Sequence, residues 1–206
     1  MINNDLAIHK QLILGTPVFI IDNFLQDPDS IHDQCFAELG TMHKKTQKNT
    51  LNGVHFNDLR KIIQGDLVTE VDGLVKELTG QVPTNPQFAT NELLLYPHAY
   101  NNPQDNWWWP HVASGYNMII YMSKNGDDCG TNLYHPDDFI PVADEHASPW
   151  IPKNKLRRII HLEGKYNRMV LFDGLIPHGM NLVKDKYINE YRRNIVGCYV
   201  DFKTFH

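Results

Sequence analysis

Apolar residues recur with two different periods along this chain, and the change of period divides it. Val18, Phe19, Ile20 and Ile21 form a β-branched and aromatic run that predicts a strand over residues 16–25, ending in a turn. The residues before it read as a short polar leader. Asp27-Pro28-Asp29-Ser30 then supplies a side-chain acceptor for free helical N–H groups and a proline suited to a first helical turn, which predicts a helix to about residue 39. Residues 40–58 are rich in Lys, Asn, Gln and Thr without period, and read as a loop able to act as a lid. Val68, Val71, Leu74, Val75 and Leu78 return at three- and four-residue spacing, so residues 66–78 predict a support helix, with Gly80 as its stop.

From residue 87 onward the helical period disappears. Short β-type runs follow one another at 92–96, 116–123, 129–134, 157–162, 167–173 and 192–201, separated by polar or Pro-containing stretches. A strand series behind a helical N-terminal third predicts a mainly β protein with flanking helices, built as a double-stranded β-helix of the jelly-roll or cupin-like kind. The expected organisation is one domain over 1–206, with 1–86 as a helical support segment and 87–206 as the jelly-roll core. Residues 137–152 read as a surface loop or second lid. Trp107, Trp108 and Trp109 are candidates for a substrate wall, although core anchoring accounts for any one of them as well.

Composition agrees with this reading. At 206 residues and 42% hydrophobic content the chain has enough material for one sizeable core and too little for two ordinary domains. A formal net charge of −5 argues against a general phosphate-binding surface, so nucleic acid is not an expected partner. No run approaches membrane-spanning length and the N-terminus lacks signal-peptide character, which predicts a cytoplasmic protein without a membrane partner. Cys35, Cys129 and Cys198 are odd in number and widely spaced, so a disulfide framework is not expected.

Two histidines change the picture. His111 in Trp107-Trp108-Trp109-Pro110-His111-Val112-Ala113-Ser114 and His178 in Leu171-Phe172-Asp173-Gly174-Leu175-Ile176-Pro177-His178-Gly179 each sit at the edge of an apolar strand. From such positions a small barrel can point two imidazoles into its mouth, which suggests a metal site. At these residues the chain resembles the Fe(II)/2-oxoglutarate-dependent oxygenase superfamily, in its prolyl-hydroxylase-like branch. There a His-x-Asp pair on an early strand and a distal His on a late one hold iron. Tyr116-Asn117-Met118-Ile119-Ile120-Tyr121-Met122-Ser123, Cys129-Gly130-Thr131-Asn132-Leu133-Tyr134, Asn167-Arg168-Met169-Val170-Leu171-Phe172-Asp173 and Arg192-Arg193-Asn194-Ile195-Val196-Gly197-Cys198-Tyr199-Val200-Asp201 resemble that family's successive strands in order and spacing.

The resemblance implies His111 and His178 as iron ligands, with Fe(II), 2-oxoglutarate and O2 as cofactor, cosubstrate and oxidant. It also implies a basic residue on the last strand for the far carboxylate of 2-oxoglutarate, and a Tyr121 hydroxyl that hydrogen-bonds the same group. Arg192 fits the basic role. Arg193 is the alternative, because neighbours on a strand face opposite sides. The chain departs from the pattern at Ala113, where the family has the liganding Asp. Within the superfamily His-x-Ala is the mark of the aliphatic halogenases, in which chloride enters the vacated position. The resemblance therefore implies a halogenase acting on an unactivated C–H of a small molecule: a free amino acid, a nucleoside or nucleotide, or a similar metabolite. Ser114 and Asn117 are the polar neighbours able to steer the anion. A two-His hydroxylase and a catalytically inactive relative or Asp-to-Ala variant are the alternatives. His135-Pro136-Asp137 is a second His-x-Asp, but only one well-formed strand separates it from His178, so His135 reads as a strand-end residue at the rim.

Overall fold

The computed structural model describes residues 1–36, 51–52, 57–58, 63, 66–83, 86–95, 110–124, 130–139, 156–181, 190–199 and 202–203. The tryptophans at 107–109, Cys129 and most of the two stretches expected to act as lids lie outside the described residues.

The chain opens with β1 (Ala7–Ile13) and β2 (Thr16–Asp22), an antiparallel hairpin turned through Leu14 and Gly15, both at positive φ. The first of these replaces the expected polar leader. Its side chains are almost all exposed, because β1 is the terminal strand of its sheet and little packs on it, so the strand leaves no burial pattern in the sequence. Helix α1 (Pro28–Phe36) begins where expected, with Asp27 Oδ1 accepting the Ser30 N–H at 3.0 Å. Helix α2 (Leu67–Thr79) buries Val71, Leu74 and Val75 and ends on Gly80, whose N–H bonds to the Lys76 carbonyl from the left-handed conformation.

After two short pairs, β3 (Leu51–Asn52) and β4 (Asn57–Asp58), and the two-residue strand β5 (Val82–Pro83), the remaining strands follow in order. They are β6 (Pro86–Leu95), β7 (Tyr116–Tyr121), β8 (Thr131–Tyr134), β9 (Arg158–Leu162), β10 (Met169–Asp173), β11 (His178–Met180), β12 (Arg192–Tyr199) and β13 (Phe202–Lys203). A major sheet runs β1-β2-β10-β7-β12-β6-β3, with β4 also pairing β6; a minor sheet runs β11-β8-β9. Described neighbours within both sheets are antiparallel.

Alternation along the major-sheet strands gives each one two kinds of contact. Phe19, Ile21, Met118, Ile120, Met169 and Ile195 pack in one cluster with Ile31 and Phe36 of α1 and Val71 and Val75 of α2. The intervening residues Val18, Tyr121, Val170 and Phe172 pack instead with Leu133 and Leu162 of the minor sheet. Helices therefore cover one face and the minor sheet the other, the layering of a double-stranded β-helix. No helix among the described residues is long and apolar enough to cross a membrane.

Candidate metal and cosubstrate site

Between the two sheets lies a cavity of about 330 Å³, with His111, Asn117, Thr131, Phe172, His178 and Arg192 in its wall. His111 and His178 arrive there on different segments yet are tied directly. They form an isolated antiparallel bridge, each backbone N–H bonding to the other's carbonyl at 2.9 Å, and their ring centroids are 4.4 Å apart. The bridge extends the minor sheet by one residue beyond β11.

The local chain is shaped to hold that bridge. The Ala113 N–H bonds to the Gly174 carbonyl at 2.8 Å, and the Gly174 N–H bonds to the Gly115 carbonyl at 2.7 Å, so the segment after His111 lies flat on the β10–β11 turn. A Cβ on Gly174 would fall 2.6 Å from both the Ala113 oxygen and the Asn117 Nδ2, and 2.8 Å from the Gly115 oxygen. Only glycine permits that approach.

His178 is oriented and neutral. Its Nδ1 bonds to the Ile176 carbonyl at 2.8 Å, so Nδ1 carries the proton and Nε2 the lone pair. Phe172 packs edge-on against the ring at 4.9 Å. Burial, reinforced by the neighbouring His111, pushes its pKa down to about 3. A neutral imidazole fixed through one nitrogen with the other free is the form that binds a transition metal. Asn117 Nδ2 lies 3.4 Å from that Nε2. Among the described residues no third His, Cys, Asp or Glu joins a metal cluster. The set present therefore suits iron as a two-nitrogen site, with Ala113 contributing no donor.

On β12, Arg192, Asn194, Val196 and Cys198 line the cavity. Arg192 is buried, and with the Asn194 carboxamide turned so that its oxygen faces the guanidinium, Asn194 accepts from Arg192 and its nitrogen donates to the Arg193 carbonyl at 2.8 Å. Arg193 is engaged elsewhere, donating to Glu92 at 2.7 Å and lying over the Phe36 and Tyr191 rings. Of the two arginines, only Arg192 lines the cavity.

The other expected residues divide. Tyr121 is buried behind Thr131 and shares a 2.9 Å hydrogen bond with its hydroxyl; it is Thr131 that borders the cavity. Burial raises the Tyr121 pKa, so the phenol stays protonated. Ser114 is exposed and outside the cavity wall. His135 belongs to a surface turn, its Nδ1 3.4 Å from the Asp137 N–H and 3.3 Å from Arg157, and it does not line the cavity.

The structure adds wall residues that the sequence reading did not single out: Gln87, Asn91, Thr131 and Asn194. Asn91 is paired across the ladder with Asn194, which in turn faces Tyr121 on β7. The Asn91 Oδ1 is buried without a hydrogen-bond partner among the described residues, which marks a polar wall that awaits one. No clean signal marked them in the sequence, since polar residues fall on both faces of the strand: Gln87 and Asn91 on one, Thr90 and Glu92 on the other.

No sequence-family model and no curated protein matches this chain. In three dimensions it is similar to SnoK, a non-heme alpha ketoglutarate dependent carbocyclase from nogalamycin biosynthesis (TM-score 0.51, 11% identity, covering 89% of this chain and 79% of that one). It is similar to AviO1 from Streptomyces viridochromogenes Tue57 (TM-score 0.50, 12% identity, 95% and 89%). It also resembles the epimerase SnoN, whose structure is a complex with Fe3+, alpha ketoglutarate and nogalamycin RO (TM-score 0.52, 11% identity, 89% and 78%). At such identities the likeness is one of fold, and the chain has the double-stranded β-helix fold that these structures share.

Proposed function

We propose that this chain is a non-haem iron enzyme that uses 2-oxoglutarate and O2 to oxidise an unactivated C–H bond of a small molecule, with chlorination as the outcome. The observation that carries the reading is the pairing of two imidazoles, His111 and His178, in the wall of a cavity that also contains Arg192. SnoN, with the same fold, was solved with iron and alpha ketoglutarate bound. Iron and 2-oxoglutarate, when bound, would supply the oxidising power that no side chain here possesses.

The chain supplies the rest. His178 Nε2 and the His111 ring offer nitrogen donors, with the His178 tautomer fixed by Ile176. Arg192, steadied by Asn194, offers a planar fork for a carboxylate, and Thr131 adds a hydroxyl backed by Tyr121. Ile119, Val196 and Phe172 give the cavity apolar wall that keeps water from the reacting carbon. Ala113 offers only a methyl group where a carboxylate would occupy the metal, and this is the ground for chlorination over hydroxylation.

The test is product mass from a small-metabolite pool incubated with Fe(II), 2-oxoglutarate and O2, with and without chloride, for the native protein and Ala113→Asp. A chlorinated product from the native protein alone is expected. Hydroxylated product only, at saturating chloride, would replace chlorination by two-His hydroxylation. Activity in Ala113→Asp alone would identify the alanine as an inactivating substitution.

A further inference from the structure

The cavity wall on the major sheet has two strips. One follows β7 from Asn117, beside His178, to Tyr121, which backs Thr131; it serves the proposed metal and cosubstrate. The other lies on β6, where the alternate residues Gln87, Ala89 and Asn91 all face the cavity. Gln87 shares a row with Asn117 across Cys198, and Asn91 shares one with Tyr121 across Asn194. The β6 strip therefore runs beside the first for about 13 Å at the rise of an extended strand. It is open at one end and closed at the other, since Gln87 is exposed and Asn91 is only 5% exposed.

At the closed end the Asn91 Oδ1 is buried without a hydrogen-bond partner, which is unfavourable unless a ligand brings a donor. The neighbouring carboxamide cannot bring one, because the Asn194 oxygen accepts from Arg192 and its nitrogen donates to the Arg193 carbonyl at 2.8 Å. 2-Oxoglutarate cannot bring one either: at neutral pH its two carboxylates and its keto oxygen only accept. The missing donor belongs to another molecule, and the closed end of an open strip is where the leading group of a substrate stops. Charge narrows its chemistry. Arg192, which bonds to Asn194 next to Asn91, disfavours an ammonium there, and a carboxylate has no hydrogen to give. A neutral O–H or N–H remains, with a short apolar stem behind it to lie over Ala89 and Val196.

We infer that Asn91 is a substrate-selecting residue, whose Oδ1 accepts from a neutral alcohol or amide at the leading end of a small molecule lying along β6 beside the cosubstrate. The inference rests on the proposed iron and 2-oxoglutarate site and deepens it by naming the substrate class. Its rival is a carboxamide turned so that Nδ2 donates to the cosubstrate carboxylate.

The experiment uses the full chain with Mn(II), whose unpaired electrons relax the protons of a molecule bound nearby, and with 2-oxoglutarate. Three probes with one stem are titrated by NMR relaxation into the native protein and Asn91→Ala: butanamide, N,N-dimethylbutanamide, which has no N–H, and butylammonium. Butanamide is expected to bind the native protein saturably and about fivefold or more tightly than the other two, a preference that falls to within about twofold in Asn91→Ala. 2-Oxoglutarate affinity should stay within about threefold of native. A fall of about tenfold or more in that affinity would overturn the inference in favour of the rival. Equal affinities of the three probes for the native protein, or no saturable butanamide binding, would overturn it and leave Asn91 to a buried water. A preference that persists in Asn91→Ala would reflect bulk alone and would also overturn it. Asn91→Leu, close to asparagine in volume, is run beside Asn91→Ala in case the smaller variant fails to fold, and should lose the preference equally. Failure of the iron reading shows separately, as absence of Mn(II) or 2-oxoglutarate binding without probe; the butanamide preference is then read in the metal-free chain by saturation transfer and decides the role of Asn91 by itself.

Discussion

Arg193 donates through Nε to Glu92 at 2.7 Å, while its neighbour Arg192 lines the cavity. The Glu92 side chain is fully buried, and Arg193 lies directly opposite it across the β6–β12 ladder. Sequence alone favours Arg192 for the cavity and keeps Arg193 as the alternative; this ion pair commits Arg193 to the sheet.

The consequence is a pair of separable phenotypes. Arg193→Ala would take the cation away from a buried carboxylate and should destabilise the fold by about 3–5 kcal/mol, read as a lower urea midpoint. Arg192→Ala should leave the unfolding free energy within about 1 kcal/mol of native and weaken 2-oxoglutarate binding at least about tenfold by calorimetry. The opposite assignment of phenotypes would refute the proposed cosubstrate role of Arg192.

Metal binding should depend on both imidazoles. Calorimetric titration with anaerobic Fe(II) is expected to give one site, and His178→Ala or His111→Ala should each weaken it by about a hundredfold or more, since each removes one of the two proposed protein donors. Retention of near-native affinity in both variants would place the metal elsewhere.

Gly174→Ala tests the turn that carries the site. The added methyl would meet the Ala113 and Gly115 carbonyls, both backbone atoms, as well as the Asn117 amide. Overpacking of this kind should cost about 1–3 kcal/mol in stability and, by lifting the segment after His111, should also lower metal affinity. Denaturation and metal titration on one sample check both; a native-like variant in both would mean that the turn yields.

Acid stability should reflect Asp22. Arg168 donates to its two carboxylate oxygens at 2.7 and 3.0 Å, and this hydrogen bonding holds the Asp22 carboxyl below its usual value. A carboxyl depressed in the folded state contributes stability that is present above its unfolded value, about 4, and is lost as the pH falls through the folded one. Asp22→Asn should therefore lose about 1–2 kcal/mol at neutral pH, the modest size reflecting a partly solvated pair. It should show a flatter stability profile than native below about pH 4. Equal slopes in acid urea melts would refute this role.

Much of the fold was legible because alternation and helical spacing report burial, and burial is what side-chain chemistry records. The stripe Val71, Leu74, Val75 announced α2, and Gly80 announced its end. The exposed strand β1 was not legible, since an edge strand held by backbone hydrogen bonds needs no apolar pattern. His111 and His178 stood out by their place at the ends of apolar runs, and the absence of a carboxylate at position 113 is a fact of the sequence alone.

What only the tertiary structure decided is proximity across the sheets. The bridge that sets His111 beside His178, the nearness of Asn117 to His178 Nε2, the retreat of Ser114 to the surface and the pairing of Asn91 with Asn194 all join residues distant in the chain. No local period encodes such contacts. They follow from strand register and from the close approach at Gly174, where backbone atoms, carrying no sequence signal of their own, determine what fits.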